Sequence, residues 1–336
     1  MRFGIVGLGR IGTFHANTLL TTLSVGALVV TDLAPGRAKQ AVEKLGSDRV
    51  EVVDSMEALL EADVDGIVVS ANTDSHAELI AACVDAAIPV FCEKPLASSC
   101  AAGAVLQKRL AGSAVPVQLG FQRRHDIAFA AARTAVRQGE LGFITTIRST
   151  TLDPAPYSQE FIESSGGMFR DCGVHDFDAI RWVSGQEVVE VYAVGANQGA
   201  AFFSDYGDVD TSAVVLTLSG GTLALVSNTR YNGRGYDVRL EVHGSEDSVA
   251  AGIDDKWPMR STEPGARFPA EDPYPWYLDR FRDAYRREIE AFVDVAAGTI
   301  PSPCTIDDGL EADWIAEACL TSYRERRPVR IDEVRI

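Results

Sequence analysis

The chain has 336 residues, enough for two domains, and a hydrophobic fraction of 46% that can fill real cores. Its formal net charge of -17 argues against nucleic acid as a partner, because that binding needs clustered Lys and Arg. No apolar run is long enough to cross a bilayer, and Met1 to Val6 enters a strand pattern without a leader-like apolar stretch. No membrane partner and a cytoplasmic location are therefore expected. Cys83, Cys92, Cys100, Cys172, Cys304 and Cys319 form no CxxC pair and no zinc spacing, and read as reduced thiols.

Phe3, Ile5 and Val6 lead into Gly7-Leu8-Gly9-Arg10-Ile11-Gly12, directly before a helix pattern marked by Phe14 and Leu19. A G-x-G-x-x-G run between strand and helix suits a dinucleotide: a tight turn, room for the pyrophosphate, and close helix–strand contact. The helix start, with Arg10 and Ile11, offers backbone N–H groups to the phosphates. A second strand, 26–31, ends at Asp32, twenty residues after Gly12. An acid there accepts hydrogen bonds from the ribose hydroxyls and repels a 2′-phosphate, so NAD is expected over NADP. Arg37 keeps NADP open, although an arginine at a helix start explains it more simply.

Alternation of strand and helix continues through the continuous apolar strand 66–70, as for a sheet buried on both faces. The loop after it carries Asn72, a candidate cofactor contact, and His76, as readily structural as a ligand. The strand 89–92 ends at Glu93-Lys94-Pro95. Loops at this end of a parallel sheet face the ligand, so Glu93 and Lys94 join the candidate cofactor residues. Lys94 is either an exposed turn residue or a donor to a substrate oxygen. A strand at 115–119 completes a doubly wound sheet, and the pattern changes after Gly120. Residues 1–120 thus read as a Rossmann domain and 121–336 as a second, α+β domain.

The second region opens with Arg123 and Arg124, of which one is expected to reach ligand. It has a long strand at 143–152 ending in Asp153-Pro154, then Gly166-Gly167 and Asp171-Cys172-Gly173-Val174-His175. At four residues' spacing on a helix, Asp171 and His175 share a face. A carboxylate beside an imidazole builds a general base; the bland alternative is a helix-start turn rich in capping acids. A metal site built from Asp171, His175, Asp176 and Asp178 lacks a second cluster, so no metal is expected. Strands at 188–194, 213–218, 222–227 and 238–243 follow, then a loop at 251–275. Tyr277, Phe281, Tyr285, Ile289 and Phe292 form a helical core stripe, and a last helix carries Leu310 and Trp314. The strands imply a large open, mainly antiparallel sheet. One face would take a helix and the other a subunit, giving a homo-oligomer, dimer or tetramer.

The glycine fingerprint, Glu93-Lys94-Pro95 and the Asp171/His175 pair, in that order, resemble the Gfo/Idh/MocA family of NAD(P)-dependent oxidoreductases along almost the whole chain. Gly120-Phe121-Gln122-Arg123-Arg124, Asp153-Pro154 and Gly235-Tyr236-Asp237-Val238-Arg239 resemble most the inositol 2-dehydrogenases within it. The resemblance implies Lys94, Asp171 and His175 as the catalytic group, with Arg123, Asp153 and Tyr236 as polyol contacts. Three departures fall where substrate would sit: Leu152 in place of an arginine, Gln122 in place of a methionine, and the linker Cys172-Gly173-Val174. The expected reaction is hydride transfer between a secondary hydroxyl of a cyclic polyol or sugar and NAD. An NADP-dependent sugar or deoxysugar reductase and a non-catalytic dinucleotide sensor are the alternatives.

Overall fold

In the computed structural model, which describes residues 1–266 and 272–335, the chain forms two compact units. One holds Met1–Gln122 and Asp283–Leu310, the other Arg123–Arg282 and Glu311–Ile336. A single cut at 120/121 follows chain order, whereas segment 283–310 packs back with the first unit. The cause is the apolar stripe of the helix Tyr277–Ala296, whose Ile289, Phe292 and Val293 join a core with Phe3, Ile5, Leu28, Val30, Val68 and Phe91. The Phe292 ring stands 5.8 Å from those of both Phe3 and Phe91.

The first unit is built on a parallel sheet of β1 (Arg2–Val6), β2 (Ala27–Thr31), β3 (Val50–Val52), β4 (Gly66–Val69), β5 (Val90–Glu93) and β6 (Val117–Gly120), in the order β3-β2-β1-β4-β5-β6. All four residues of β4 are buried, because helices cover both faces of such a sheet. The chain reverses its direction of travel across the sheet at β1 and β4, the place where ligands collect at the carboxyl ends of the strands.

The second unit carries β7 (Ile144–Leu152), β8 (Val188–Ala196), β9 (Thr211–Leu218), β10 (Leu223–Thr229), β11 (Asp237–Gly244), β12 (Ser248–Ala251) and β13 (Val329–Arg330), in the order β12-β11-β7-β10-β9-β8-β13. All neighbours are antiparallel except the central pair β7 and β10, which run parallel. The helix Val174–Ser184 covers the inner face, burying Phe177 and Ile180. On the outer face Tyr192, Val194, Val215, Leu223 and Leu225 are exposed. Residues 252–266 form the expected loop, and 267–271 lie outside the described residues. The six cysteines are buried, and none is joined in a disulfide among the described residues.

Candidate active site

The glycine loop after β1 is shaped by what its neighbours forbid. Gly7 has φ +90°, and a Cβ there would stand 2.6 Å from the Ser70–Ala71 backbone. A Cβ on Gly12 would stand 2.0 Å from the Gly7 carbonyl oxygen. A Cβ on Gly9 would meet nothing within 4 Å among the described residues. That opening lies at the start of the helix Arg10–Thr21, whose N-cap Gly9 supplies no side-chain cap. The cradle fits a pyrophosphate, with first-turn N–H groups as donors.

The side chain of Asp32, one residue past β2, is almost fully buried. Its Oδ2 accepts from Leu8 N at 2.7 Å and its Oδ1 from Ala34 N at 2.8 Å. The acid therefore also fastens the glycine loop. Arg37 lies 3.7 Å from Asp32 Oδ1, closer than a simple helix-start arginine implied, and is itself exposed. The pair partly neutralises the acid.

The loop after β4 exposes Asn72 at the head of a short 3-10 turn, Thr73–Ser75. His76 is structural: it is buried and bonds the carbonyl oxygens of Pro95 at 2.8 Å and Ala71 at 3.2 Å. It thus ties this loop to the one carrying Lys94, whose peptide to Pro95 is cis. Glu93, ending β5, pairs through Oε1 with Nε2 of the buried His15 at 2.6 Å. Glycine loop, Asp32, Asn72, Glu93 and half-buried Lys94 thus share one edge of the first sheet.

In the second unit, Asp171 and His175 straddle a junction rather than one regular helix. A π-turn, Phe169–Gly173, runs into the α-helix Val174–Ser184. Such wide turns are frequent at functional sites. Asp171 and His175 are half-buried, whereas Cys172, Gly173, Val174 and Asp176 are buried. The turn begins after Gly166 and Gly167, at φ +82° and +86°. A Cβ on Gly167 would stand 2.9 Å from Asp208 Oδ1, which accepts from Met168 N at 2.8 Å.

The two arginines after β6 are neither solvated nor exposed. Arg123 donates from Nη1 to Asp176 at 2.7 Å and from Nη2 to Thr151 Oγ1 at 2.7 Å. Burial opposes its charge, but Asp176 and then Tyr236 outweigh that and hold its pKa above the ordinary value. Asp176 also accepts from Ser149 at 2.6 Å and Asn228 at 2.8 Å. Arg124 grips Asp178 through Nε and Nη2. Asp153 pairs with Arg230 at 2.7 Å. Tyr236 is buried, and burial followed by Asp153 pushes its phenol well up. Arg230, which the sequence reading missed, also donates to Asp171 Oδ2 at 2.7 Å. Among the described residues no group of three or more His, Cys, Asp or Glu is placed to hold a metal.

Residues 1–121 match the oxidoreductase family with an NAD-binding Rossmann fold, and residues 129–250 match the Gfo/Idh/MocA C-terminal domain. The chain belongs to the Gfo/Idh/MocA oxidoreductase family. Within this family, a myo-inositol 2-dehydrogenase of Thermotoga maritima is 35% identical, covering 99% of each chain. A scyllo-inositol 2-dehydrogenase (NAD(+)) of Bacillus subtilis is 31% identical over 99% of this chain and 96% of its own. Among solved structures, scyllo-inositol dehydrogenase of Lactobacillus casei with bound NAD(H) and scyllo-inositol superposes with a TM-score of 0.88, at 29% identity and 99% coverage of each chain. The alternating first half and open-sheet second half of this Gfo/Idh/MocA chain agree with the fold read from its sequence.

Proposed function

We propose that the protein is an NAD-dependent dehydrogenase that reversibly oxidises a secondary hydroxyl of an inositol-like cyclic polyol. The observation that supports this is that half-buried Asp171 and His175 sit together at one π-turn-to-helix junction, in a chain whose other unit carries the glycine loop. Full-length similarity to inositol dehydrogenases supports the substrate class. His175 takes the hydroxyl proton, and Asp171 orients the ring and stabilises its charge. Lys94 donates to the developing alkoxide. Asp153, Arg123 and Tyr236 shape the polyol side, Arg123 through its hold on Asp176. Bound NAD supplies the hydride acceptor. Gly7, Gly9 and Gly12 with Arg10 and Ile11 hold the pyrophosphate, while Asp32 holds the ribose and Asn72 and Glu93 flank the nicotinamide end. The protein acts in the cytoplasm as a dimer or tetramer through the apolar outer face of the second sheet.

Arg37 beside Asp32 keeps one second reading alive, an NADP-dependent sugar reductase. Initial rates at the reduced-nicotinamide band, with a panel of inositols and aldoses and both cofactors, decide between them. Turnover of an inositol with NAD is expected. Turnover confined to aldoses with NADP, or none with any polyol, overturns the proposal.

A further inference from the structure

Arg230 belongs to none of the motifs, yet it is 1% exposed and bridges two functional carboxylates. Its Nη1 stands 2.7 Å from Asp153 Oδ2 and its Nη2 2.7 Å from Asp171 Oδ2. Its Nε has no hydrogen-bond partner among the described residues, and its guanidinium lies 5.3 Å from the Tyr157 ring centre. The strand register explains the placement. Thr229 of β10 lies opposite Leu152 of β7 in the parallel pair, and Asp153 N donates to Thr229 O at 2.9 Å. One step beyond both strands, Arg230 lies beside Asp153.

We propose that Arg230 is a positioning residue that sets the pH at which His175 acts as base, by dividing the negative charge of Asp171. This rests on the reading of Asp171 and His175 given above. An acid with its full charge directed at an imidazole favours the imidazolium, and a protonated histidine is no base. Arg230 takes up part of that charge, so His175 stays neutral to lower pH. The bridge also sets one cation between the two carboxylates of Asp153 and Asp171, which offsets their mutual repulsion. The other titratable groups around the bridge do not substitute for it. Burial, with Asp153 and Asp171, pushes the Tyr157 phenol up; burial pushes the Cys172 thiol well up; and burial raises the Asp208 carboxyl. The charge of Arg230 opposes the rise in each of these three. Asp176, on the helix behind, is already held by Arg123.

The test is the pH profile of kcat/KM for inositol oxidation by the full chain, in the parent and in His175→Ala, Arg230→Gln, Arg230→Lys and Asp153→Asn. The parent should show an acid limb that His175→Ala lacks. Arg230→Gln should move that limb to higher pH by on the order of one unit. Arg230→Lys should keep it near the parental position while kcat falls, because one ammonium cannot bridge both acids in the geometry of a planar fork. Asp153→Asn should move it the opposite way, since Arg230 then serves Asp171 alone. NADH affinity should not change in any of them. A limb that stays in place in Arg230→Gln, or moves to lower pH, overturns the inference. If that variant does not fold, an unmoved or raised limb in Asp153→Asn does so. Loss of the limb in His175→Ala alongside an unmoved Arg230→Gln sinks the inference alone, whereas a limb persisting in His175→Ala sinks the base reading and the inference with it.

Discussion

Asp32→Ala tests how the first unit chooses its cofactor. The side chain accepts two backbone N–H groups, from Leu8 at 2.7 Å and Ala34 at 2.8 Å, while Arg37 stands 3.7 Å away. In the NAD complex the same carboxylate would accept from the ribose hydroxyls. A hydrogen bond to a charged acceptor contributes about 1.5–3 kcal/mol. At about 1.4 kcal/mol per decade, losing one such ribose contact weakens NADH binding roughly 10- to 150-fold. NADPH should lose far less, because its 2′-phosphate no longer meets an acid and Arg37 is released to pair with it. The NADH-over-NADPH preference should therefore fall by at least about tenfold. The assay is fluorescence titration of both reduced cofactors at fixed ionic strength, with Asp32→Asn as control. Asparagine keeps one acceptor oxygen for the loop but drops the charge, so it should also narrow the preference while perturbing the loop less. Unchanged NADH affinity in Asp32→Ala refutes the assignment. Equal weakening of NADH and NADPH in both variants also refutes it, by reducing Asp32 to a loop fastener.

Removing His175 should strike turnover and spare the cofactor. His175→Ala is expected to lower kcat by about 10²–10⁴, with NADH affinity unchanged by titration, and Lys94→Ala to be at least as damaging to kcat. Asp176→Asn should cost about 3–5 kcal/mol of stability, because it leaves the buried Arg123 without its counter-charge. Chemical denaturation that finds a loss below about 1 kcal/mol, the range of a surface pair, would show that Asp176 is not the anchor its contacts suggest. Val215→Glu with Leu225→Glu places charge on two adjacent strands of the exposed sheet face. Light scattering should then report a smaller assembly than the parent, and a monomeric parent would contradict the assembly outright.

The first unit is the more legible half, and the reason is locality. Gly7, Gly9 and Gly12 form one short run in which a Cβ on Gly12 would meet the Gly7 carbonyl oxygen, and Asp32 is placed by the length of one strand–helix–strand unit. The boundary of that unit is less legible. Ile289 and Phe292 lie in sequence among residues of the second unit but fill the core around Phe3. Apolar periodicity shows that a helix has a buried face and does not name the surface that buries it.

The second unit hid its polar interior for a related reason. In β10 the inward row is Ala224, Val226 and Asn228, followed by Arg230; in β7 it is Ile147, Ser149 and Thr151, followed by Asp153. Each row starts apolar and turns polar toward the strand's carboxyl end. Alternation alone treats these as ordinary half-buried strands. Because the two strands run parallel, both polar ends fall at the same edge of the sheet. There Ser149, Thr151 and Asn228 converge with Arg123 on Asp176, and Arg230 joins Asp153 to Asp171. An antiparallel pair would have sent the polar ends to opposite edges and left at least one buried charge without its partner, at a cost of several kcal/mol. The parallel pairing at the centre of an otherwise antiparallel sheet is thus what makes a buried arginine beside Asp171 tolerable. The detectable signal was there in the residues: a polar step in the inward row of two strands, each ending in a charge of opposite sign.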